Sequence, residues 1–353
     1  MPADTKLVDL VLEGGGVKGI GLAGAYEAIV RNGFEPANVA GTSAGAIAAA
    51  LIAAGYTPAE LRQEILGLDY RQFQDEGWED KLPVIDRTAS ILLDLGIYEG
   101  KRFHTWISEK LEAKGVRTFA DLVRDPEEKE LRFRYKLHVI VSDVTERALL
   151  VLPRDAQKLG VEPDDLPVAD AVRMSMGIPI FFEPIRHQNP KTGEEHVLVD
   201  GGMLSNFPVW LFDARDRVPD WPTFGLLLVE PKPREHLGKR IEPPRRDKGV
   251  SALIDYLKAL AQTMMAAHDR LYLEQSEFAR TIPIPTLGVG TTEFDLDRDR
   301  AEALYASGLK AGEEFLETWD WEAYLAEFRS GRDQSRRDAL TEKLEATAEV
   351  SPG

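Results

Sequence analysis

The fold is decided by residues 7–55, which read LVDLVLEGGGVKGIGLAGAYEAIVRNGFEPANVAGTSAGAIAAALIAAG. The apolar run at 7–12 ends in a glycine cluster, which predicts a buried strand. Residues 19–32 have helical spacing, with Gly33 as the stop. Residues 39–41 predict a brief second strand, which a sharp turn joins to an alanine-rich helix at 44–54. Strands and helices that alternate in this way predict a parallel sheet covered by helices.

The rest of the chain extends this α/β pattern and predicts a three-layer sandwich, with a central, mainly parallel sheet flanked by helices. Further strands are predicted at 135–141, 148–152 and 224–229, and a hairpin at 185–199. Residues 58–130 predict a helical insert, which is either a cap packed on the sheet edge or a lid over the site. The predicted layout is a main domain at 7–230, a mobile loop at 231–250, a C-terminal helical region at 251–328 that packs on the main domain, and a charged tail at 329–353.

Composition excludes several classes of protein. The chain has 353 residues, no cysteine and a formal net charge of -17. It therefore has no disulfide, thiolate metal site or cysteine nucleophile, and its acidity argues against nucleic-acid binding. No segment is long and apolar enough to span a bilayer, and the N-terminus lacks the zones of a secretory signal. We expect a cytoplasmic protein, and secretion without a signal stays open.

The glycine cluster after the first strand predicts an anion-binding loop. It satisfies G-x-G-x-x-G and consists of Gly14, Gly15, Gly16, Val17, Lys18 and Gly19. A dinucleotide site needs an acidic residue at the end of the second strand, but Glu35 precedes that strand and is followed by a proline. Free backbone N–H groups at the start of a helix bind either a phosphate or the oxyanion of a tetrahedral intermediate. A purely structural turn would carry the entropy cost of three glycines for no gain.

The turn Gly41-Thr42-Ser43-Ala44-Gly45 matches G-x-S-x-G and predicts that Ser43 is a nucleophile. This chemistry needs a sharp turn from a strand into a helix, which only small residues around the serine tolerate. The turn places the Ser43 hydroxyl at the start of a helix, where the helix dipole and the Ala44 N–H favour developing negative charge.

Either a histidine or an aspartate could activate Ser43. A Ser-His-Asp triad in the α/β-hydrolase order needs a late histidine, and neither His236 nor His268 follows a predicted strand. Asp200 ends the apolar run at 196–199 and precedes Gly201 and Gly202. Its carboxylate is therefore expected at a strand terminus, where open α/β sheets place their sites.

Together these motifs resemble the patatin-like phospholipase family over residues 7–230. Residues 171–182 also resemble the family's segment before the aspartate, and residues 204–208 the segment after it. Lys18 stands where arginine is common, and Gly202 where alanine is also frequent. The resemblance implies a Ser–Asp dyad, in which Ser43 attacks an ester carbonyl while Asp200 accepts its proton, with the 14–16 loop as the oxyanion hole.

The activity that the resemblance implies is hydrolysis of phospholipid or lysophospholipid esters. A transient contact with a membrane surface stays open, as does the oligomeric state. The alternatives are a histidine-dependent α/β-hydrolase lipase and a binding or storage protein with a vestigial site. Asp295, Asp297 and Asp299 imitate the start of an EF-hand loop, but Arg300 and Ala306 replace the required glycine and glutamate. We therefore expect hydrolysis without a metal or another cofactor.

Overall fold

The computed structural model describes residues 6–68, 96–98, 100–213, 218–230, 260, 263–264, 274–291, 293 and 295–329. The strands are β1 (Lys6–Leu12), β2 (Phe34–Thr42), β3 (Gly96–Tyr98), β4 (Leu137–Asp143), β5 (Ala148–Leu152), β6 (Ile180–Phe182), β7 (Ile185–Gln188), β8 (Glu195–Asp200), β9 (Thr223–Val229) and β10 (Thr281–Pro285). The helices are α1 (Ile20–Arg31), α2 (Ala44–Ala53), α3 (Pro58–Gly67), α4 (Lys101–Glu112), α5 (Leu131–Arg134), α6 (Val168–Ser175), α7 (Gln275–Ala279), α8 (Arg298–Thr318) and α9 (Trp321–Phe328).

A central sheet of eight strands organises the molecule, in the order β10-β9-β1-β2-β4-β8-β7, with β5 also paired to β4. The strands from β10 to β4 all run parallel, whereas β5 and β8 run antiparallel to β4. Helices flank this sheet, so the predicted mainly parallel α/β fold is confirmed. β3 and β6 form a separate two-stranded sheet.

The first helices form for reasons visible in the sequence. Gly33, with a φ of +83°, follows the end of α1 and allows the chain to leave the helix. Every residue of α2 is buried, as expected for a helix that is apolar on all sides. Thr57 and Glu60 form a capping box at the start of α3, where Pro58 occupies the first turn.

Two strands differ from the sequence expectation. β2 begins at Phe34 rather than at residue 39, because its parallel pairing with β1 starts there and continues through Pro36 with a register shift. β10 was not predicted, since prolines at 283 and 285 argue against a strand. β10 is an edge strand of the sheet and both prolines are exposed, which is the setting in which strands tolerate proline.

Helix α8, in the C-terminal region, packs directly on α1. A Cβ atom on Gly308 would overlap the carbonyl oxygen of Gly21, and one on Gly24 would overlap that of Tyr305. The two backbones therefore touch, and only glycine fits at the contact. This contact ties the C-terminal region to the helix that follows the glycine loop.

The helices described within the 58–130 insert belong to the main core. Leu61, Phe103 and Ile107 are almost fully buried there, and Trp106 packs against the same cluster from the edge. Residues 69–95, the loop at 231–250 and the tail beyond 329 lie outside the described residues, as do most of residues 251–273 of the predicted C-terminal helical region. Among the described helices, none is long and apolar enough to cross a membrane.

Candidate active site

Ser43 occupies the sharp turn between β2 and α2. Its φ of +54° and ψ of -124° are unusual for a residue with a side chain, and such a conformation costs about 1–3 kcal/mol. The turn is tightly packed, because a Cβ on Gly41 would overlap the Gly45 carbonyl and one on Gly45 would overlap the Leu12 carbonyl. This packing explains why the motif needs glycine on both sides of the serine.

Two contacts from neighbouring segments hold the strained turn. The Ser43 N–H donates to Ser175 Oγ at the end of α6 over 2.9 Å, and both residues are fully buried. Beside it, Thr42 Oγ1 donates to the carbonyl of Ser205 over 3.3 Å. No sequence motif points to Ser175 by itself, although it lies in the 171–182 segment that carried part of the resemblance.

Asp200 reaches Ser43 because β8 runs antiparallel to β4. Asp200 is paired with Val141 of β4, and the preceding residue, Ile140, is paired with Thr42 of β2. The C-terminal end of β8 is therefore level with the C-terminal end of β2. The prediction that Asp200 ends a strand is confirmed, but this strand approaches the site from the direction opposite to β2.

Asp200 is held through its backbone and through its side chain. The Asp200 backbone N–H donates to the Gly177 carbonyl over 2.9 Å, and the carboxylate oxygen Oδ1 accepts the Gly202 N–H over 2.8 Å. A Cβ on Gly201 would overlap the Ile140 carbonyl, so this turn is pressed against β4. The glycines after Asp200 thus fix the direction of the carboxylate.

The electrostatics of Asp200 suit a proton acceptor. Burial raises the pKa of the Asp200 carboxyl to about 7, while the Ser43 hydroxyl and the Gly202 N–H lower it to a smaller extent. Within the described residues, neither Ser43 Oγ nor Asp200 Oδ2 makes a hydrogen bond of normal geometry. The hydroxyl is nevertheless close enough to act on the pKa of the carboxyl. A carboxyl group that titrates near neutral pH beside a hydroxyl can exchange a proton with it.

The glycine loop lies beside Ser43. A Cβ on Gly14 would lie 3.1 Å from the Cβ of Ser43, and one on Gly19 would lie 2.9 Å from the Cβ of Ala44. Gly16 has a φ of +56°, which favours glycine. The predicted loop and the predicted nucleophile turn are therefore in contact.

Some groups of the loop already have partners. The Gly14 N–H donates to the Asn206 carbonyl over 3.1 Å, and the Val17 N–H donates to the Thr291 carbonyl over 3.2 Å. The Lys18 ammonium group lies 3.4 Å from a carboxylate oxygen of Glu230. Gly14, which we expected to be an oxyanion donor, therefore uses its N–H to hold the loop.

Three other N–H groups remain available near the nucleophile. Among the described residues, the N–H groups of Gly15, Gly16 and Ala44 donate to no acceptor. Ala44 begins α2, whose first N–H groups have no partner within the helix. Such groups can bind an anion that enters the site.

The described histidines have partners away from Ser43. His104 bonds to Asp170 over 2.6 Å, His187 to the Leu159 carbonyl over 2.8 Å, and His196 to Asp143 over 2.6 Å, while the His138 ring packs against Phe212. His236 and His268 lie outside the described residues.

One of the aspartates that imitate an EF-hand, Asp297, has a structural role. The Asp297 carboxylate accepts the Arg300 N–H over 2.8 Å and so caps α8. In the part of the chain that the structure describes, no group of three histidine, aspartate or glutamate side chains could hold a metal ion.

Comparisons with known proteins agree on one family. Residues 10–213 match the family model described as Patatin-like phospholipase. Uncharacterized protein YqhO of Bacillus subtilis (strain 168) is 39% identical to this chain over 89% of the chain and 99% of its own length. Probable lipid hydrolase 463L of Invertebrate iridescent virus 6 is 24% identical over 57% of this chain and 61% of its own length.

A solved structure shows the same fold. The crystal structure of VipD from Legionella pneumophila superposes with a TM-score of 0.52 at 20% identity, covering 89% of this chain and 67% of that chain. The match of the family model over more than half of the sequence agrees with the nucleophile turn, the glycine loop and the aspartate turn that meet in the structure. This chain belongs to the patatin-like phospholipase family.

Proposed function

We propose that this protein is a lipid acyl hydrolase that cleaves carboxylic ester bonds of phospholipids or lysophospholipids through Ser43 and Asp200. The observation that carries the proposal is the strained Ser43 turn beside a buried carboxyl group with a pKa near 7. Membership of the family and the likeness to a probable lipid hydrolase support the substrate class.

The acylation step follows from these positions. Ser43 Oγ attacks the ester carbonyl carbon while Asp200 takes the hydroxyl proton, and the carbonyl oxygen becomes an oxyanion. The N–H groups of Gly15, Gly16 and Ala44 stabilise that oxyanion, and one such donor is worth roughly 3–4 kcal/mol. Asp200 then returns the proton to the leaving alcohol, and the acyl group remains on Ser43.

The deacylation step reverses the roles. Asp200 takes a proton from a water molecule, and the resulting nucleophile attacks the acyl-enzyme carbonyl. Collapse of the second tetrahedral intermediate releases the fatty acid, while the proton on Asp200 returns to Ser43 Oγ. No step in this sequence calls for a metal or an organic cofactor.

Hydrolysis of a panel of phospholipids and lysophospholipids, with a chelator present, tests the proposal. Ser43→Ala should abolish turnover, and Asp200→Asn should lower kcat by roughly 10²–10⁴-fold, the usual contribution of a general base. Circular dichroism establishes that each variant is folded. A fluorophosphonate probe should label the wild type and not Ser43→Ala.

Two outcomes would change the assignment. If the folded wild type neither hydrolyses any lipid nor reacts with the fluorophosphonate, the vestigial binding protein is the better interpretation. If the hydrolytic activity is lost in His236→Ala or His268→Ala and kept in Asp200→Asn, the base is a histidine and the dyad is wrong.

A further inference from the structure

Asn206 connects the segments that meet at the site. It lies in the loop after the Asp200 turn and is only 7% exposed. Its own groups contact the glycine loop and Glu13 at the end of β1. It belongs to neither the nucleophile turn nor the Ser43–Asp200 pair. In the sequence, its segment at 204–208 contributes to the family resemblance without a role of its own.

Asn206 binds both polar groups of Gly14. The Gly14 N–H donates to the Asn206 backbone carbonyl over 3.1 Å, and Asn206 Nδ2 donates to the Gly14 carbonyl over 2.9 Å. One hydrogen bond would let the loop pivot, whereas two bonds on opposite sides of one residue fix its orientation. The glycine loop is therefore held in one orientation relative to the Asp200 turn.

A second bond of the same amide anchors this arrangement to the sheet. Asn206 Nδ2 also donates to Glu13 Oε1 over 3.2 Å, and Glu13 Oε2 accepts the Leu228 N–H of β9 over 2.5 Å. The chain of contacts runs from β9 through Glu13 and Asn206 to the glycine loop. The loop is thus attached to a rigid strand.

The other amide atom of Asn206 is placed between the two halves of the site. Its Oδ1 is buried and has no hydrogen-bond partner among the described residues. A Cβ on Gly14 would overlap Oδ1, and a Cβ on Gly202 would lie 2.8 Å from it. A buried, unpaired amide oxygen costs about 1–3 kcal/mol, which offsets part of the stability that the two Nδ2 bonds contribute.

We propose that Asn206 is a positioning residue for ester hydrolysis. It holds the Gly14 peptide so that the N–H groups of Gly15 and Gly16 stay at a fixed distance from Ser43. This inference rests on the proposed hydrolase function and adds to it, because Asn206 itself does not exchange a proton with the substrate. Removing its side chain lets the glycine loop drift and weakens oxyanion stabilisation.

Asn206→Ala tests the proposal, with Asn189→Ala as the matched control. Asn189 is buried as well, and its side chain also bonds backbone groups, donating to the Lys158 carbonyl over 3.1 Å and accepting the Lys191 N–H over 2.9 Å. Asn189 lies in the β7–β8 turn and takes no part in the site. The measurements are kcat and KM on a water-soluble p-nitrophenyl ester, the rate of fluorophosphonate labelling and the melting temperature.

Asn206→Ala should lower kcat and the labelling rate by about 10- to 100-fold, as expected for a small misplacement of catalytic donors, with little change in KM. Asn189→Ala should lower the melting temperature and leave kcat unchanged. If Asn206→Ala does not fold, Asn206→Asp decides, since it keeps the shape and the backbone carbonyl and loses the Nδ2 donor. The same fall in kcat is expected there.

The proposal is overturned if a folded Asn206 variant keeps the wild-type kcat, or if both asparagine positions lower kcat in proportion to their loss of thermal stability. These outcomes are separate from a failure of the hydrolase function. If the hydrolase function is wrong, the wild type itself shows neither turnover nor labelling, and the proposed role of Asn206 is then wrong as well.

Discussion

Replacing Ser175 with alanine tests how the Ser43 turn is held. The change removes the only acceptor that the described residues offer to the Ser43 N–H, at 2.9 Å and with both residues fully buried. An unpaired buried N–H costs roughly 1–3 kcal/mol, which is added to a backbone conformation that is already strained. If the turn relaxes in response, Ser43 Oγ moves away from Asp200, and kcat should fall by roughly 5- to 150-fold.

The assay compares kcat, KM and the melting temperature of wild type, Ser175→Ala, Ser175→Thr and Ser108→Ala. Ser175→Thr keeps an acceptor oxygen and should recover part of the lost kcat. Ser108 is a control because its hydroxyl likewise bonds a backbone group, donating to the His104 carbonyl in α4 over 2.8 Å, away from the site. An unchanged kcat in folded Ser175→Ala would show that Ser175 does not hold the nucleophile.

Three further predictions concern titration and stability. Asp200 must be ionised to accept a proton and has a pKa raised to about 7, so kcat/KM should rise with pH and level off above about 7; a profile that is flat across this range contradicts the dyad. Burial also raises the pKa of Asp9 to about 7. The folded state therefore retains a proton that the unfolded chain releases near pH 4, and stability falls as the pH rises from about 4 to 7. Asp9→Asn keeps an acceptor for Asn38 and should reduce that fall in urea denaturation at the two pH values; an unchanged pH dependence contradicts the raised pKa. The buried Arg280 bonds the Asp213 carboxylate over 2.6 and 2.8 Å. Asp213→Ala removes that carboxylate and should lower the free energy of unfolding by roughly 3–5 kcal/mol. As a control, loss of Glu314, the exposed partner of Lys310, should change the free energy of unfolding little.

The nucleophile turn and the glycine loop could be predicted from the sequence because each is a continuous motif. Gly41, Ser43 and Gly45 belong to one turn, and a Cβ on Gly41 would overlap the Gly45 carbonyl of that same turn. A strand that ends in such a turn and leads into a helix places the serine at a helix N-terminus whatever surrounds it. The loop at residues 14–19 likewise leads from a strand into a helix in one continuous stretch of sequence.

Other features depended on segments that are distant in the sequence. Neither Ser175 nor Asn206 belongs to a motif with a mechanism of its own. Ser175 acts through one hydrogen bond and Asn206 through three, all to residues more than a hundred positions away. Gly14 matched the pattern of an oxyanion donor, yet its N–H binds Asn206. Pairing geometry decides such contacts, and no spacing rule in the sequence reports it.

By itself the sequence determined that Ser43 stands on a strand–turn–helix and that a glycine loop precedes it, because each motif is short and continuous in the chain. Only the tertiary structure decided that Asp200 meets Ser43. Asp200 arrives on β8, which runs antiparallel to β4, and the β4 register brings it level with Thr42 at the end of β2. The same packing buries the carboxyl group and raises its pKa towards neutral, since a charge far from water is costly. A carboxylate is an ordinary surface group until the fold removes its water, and for that reason the role proposed for Asp200 as a base depends on the folded protein.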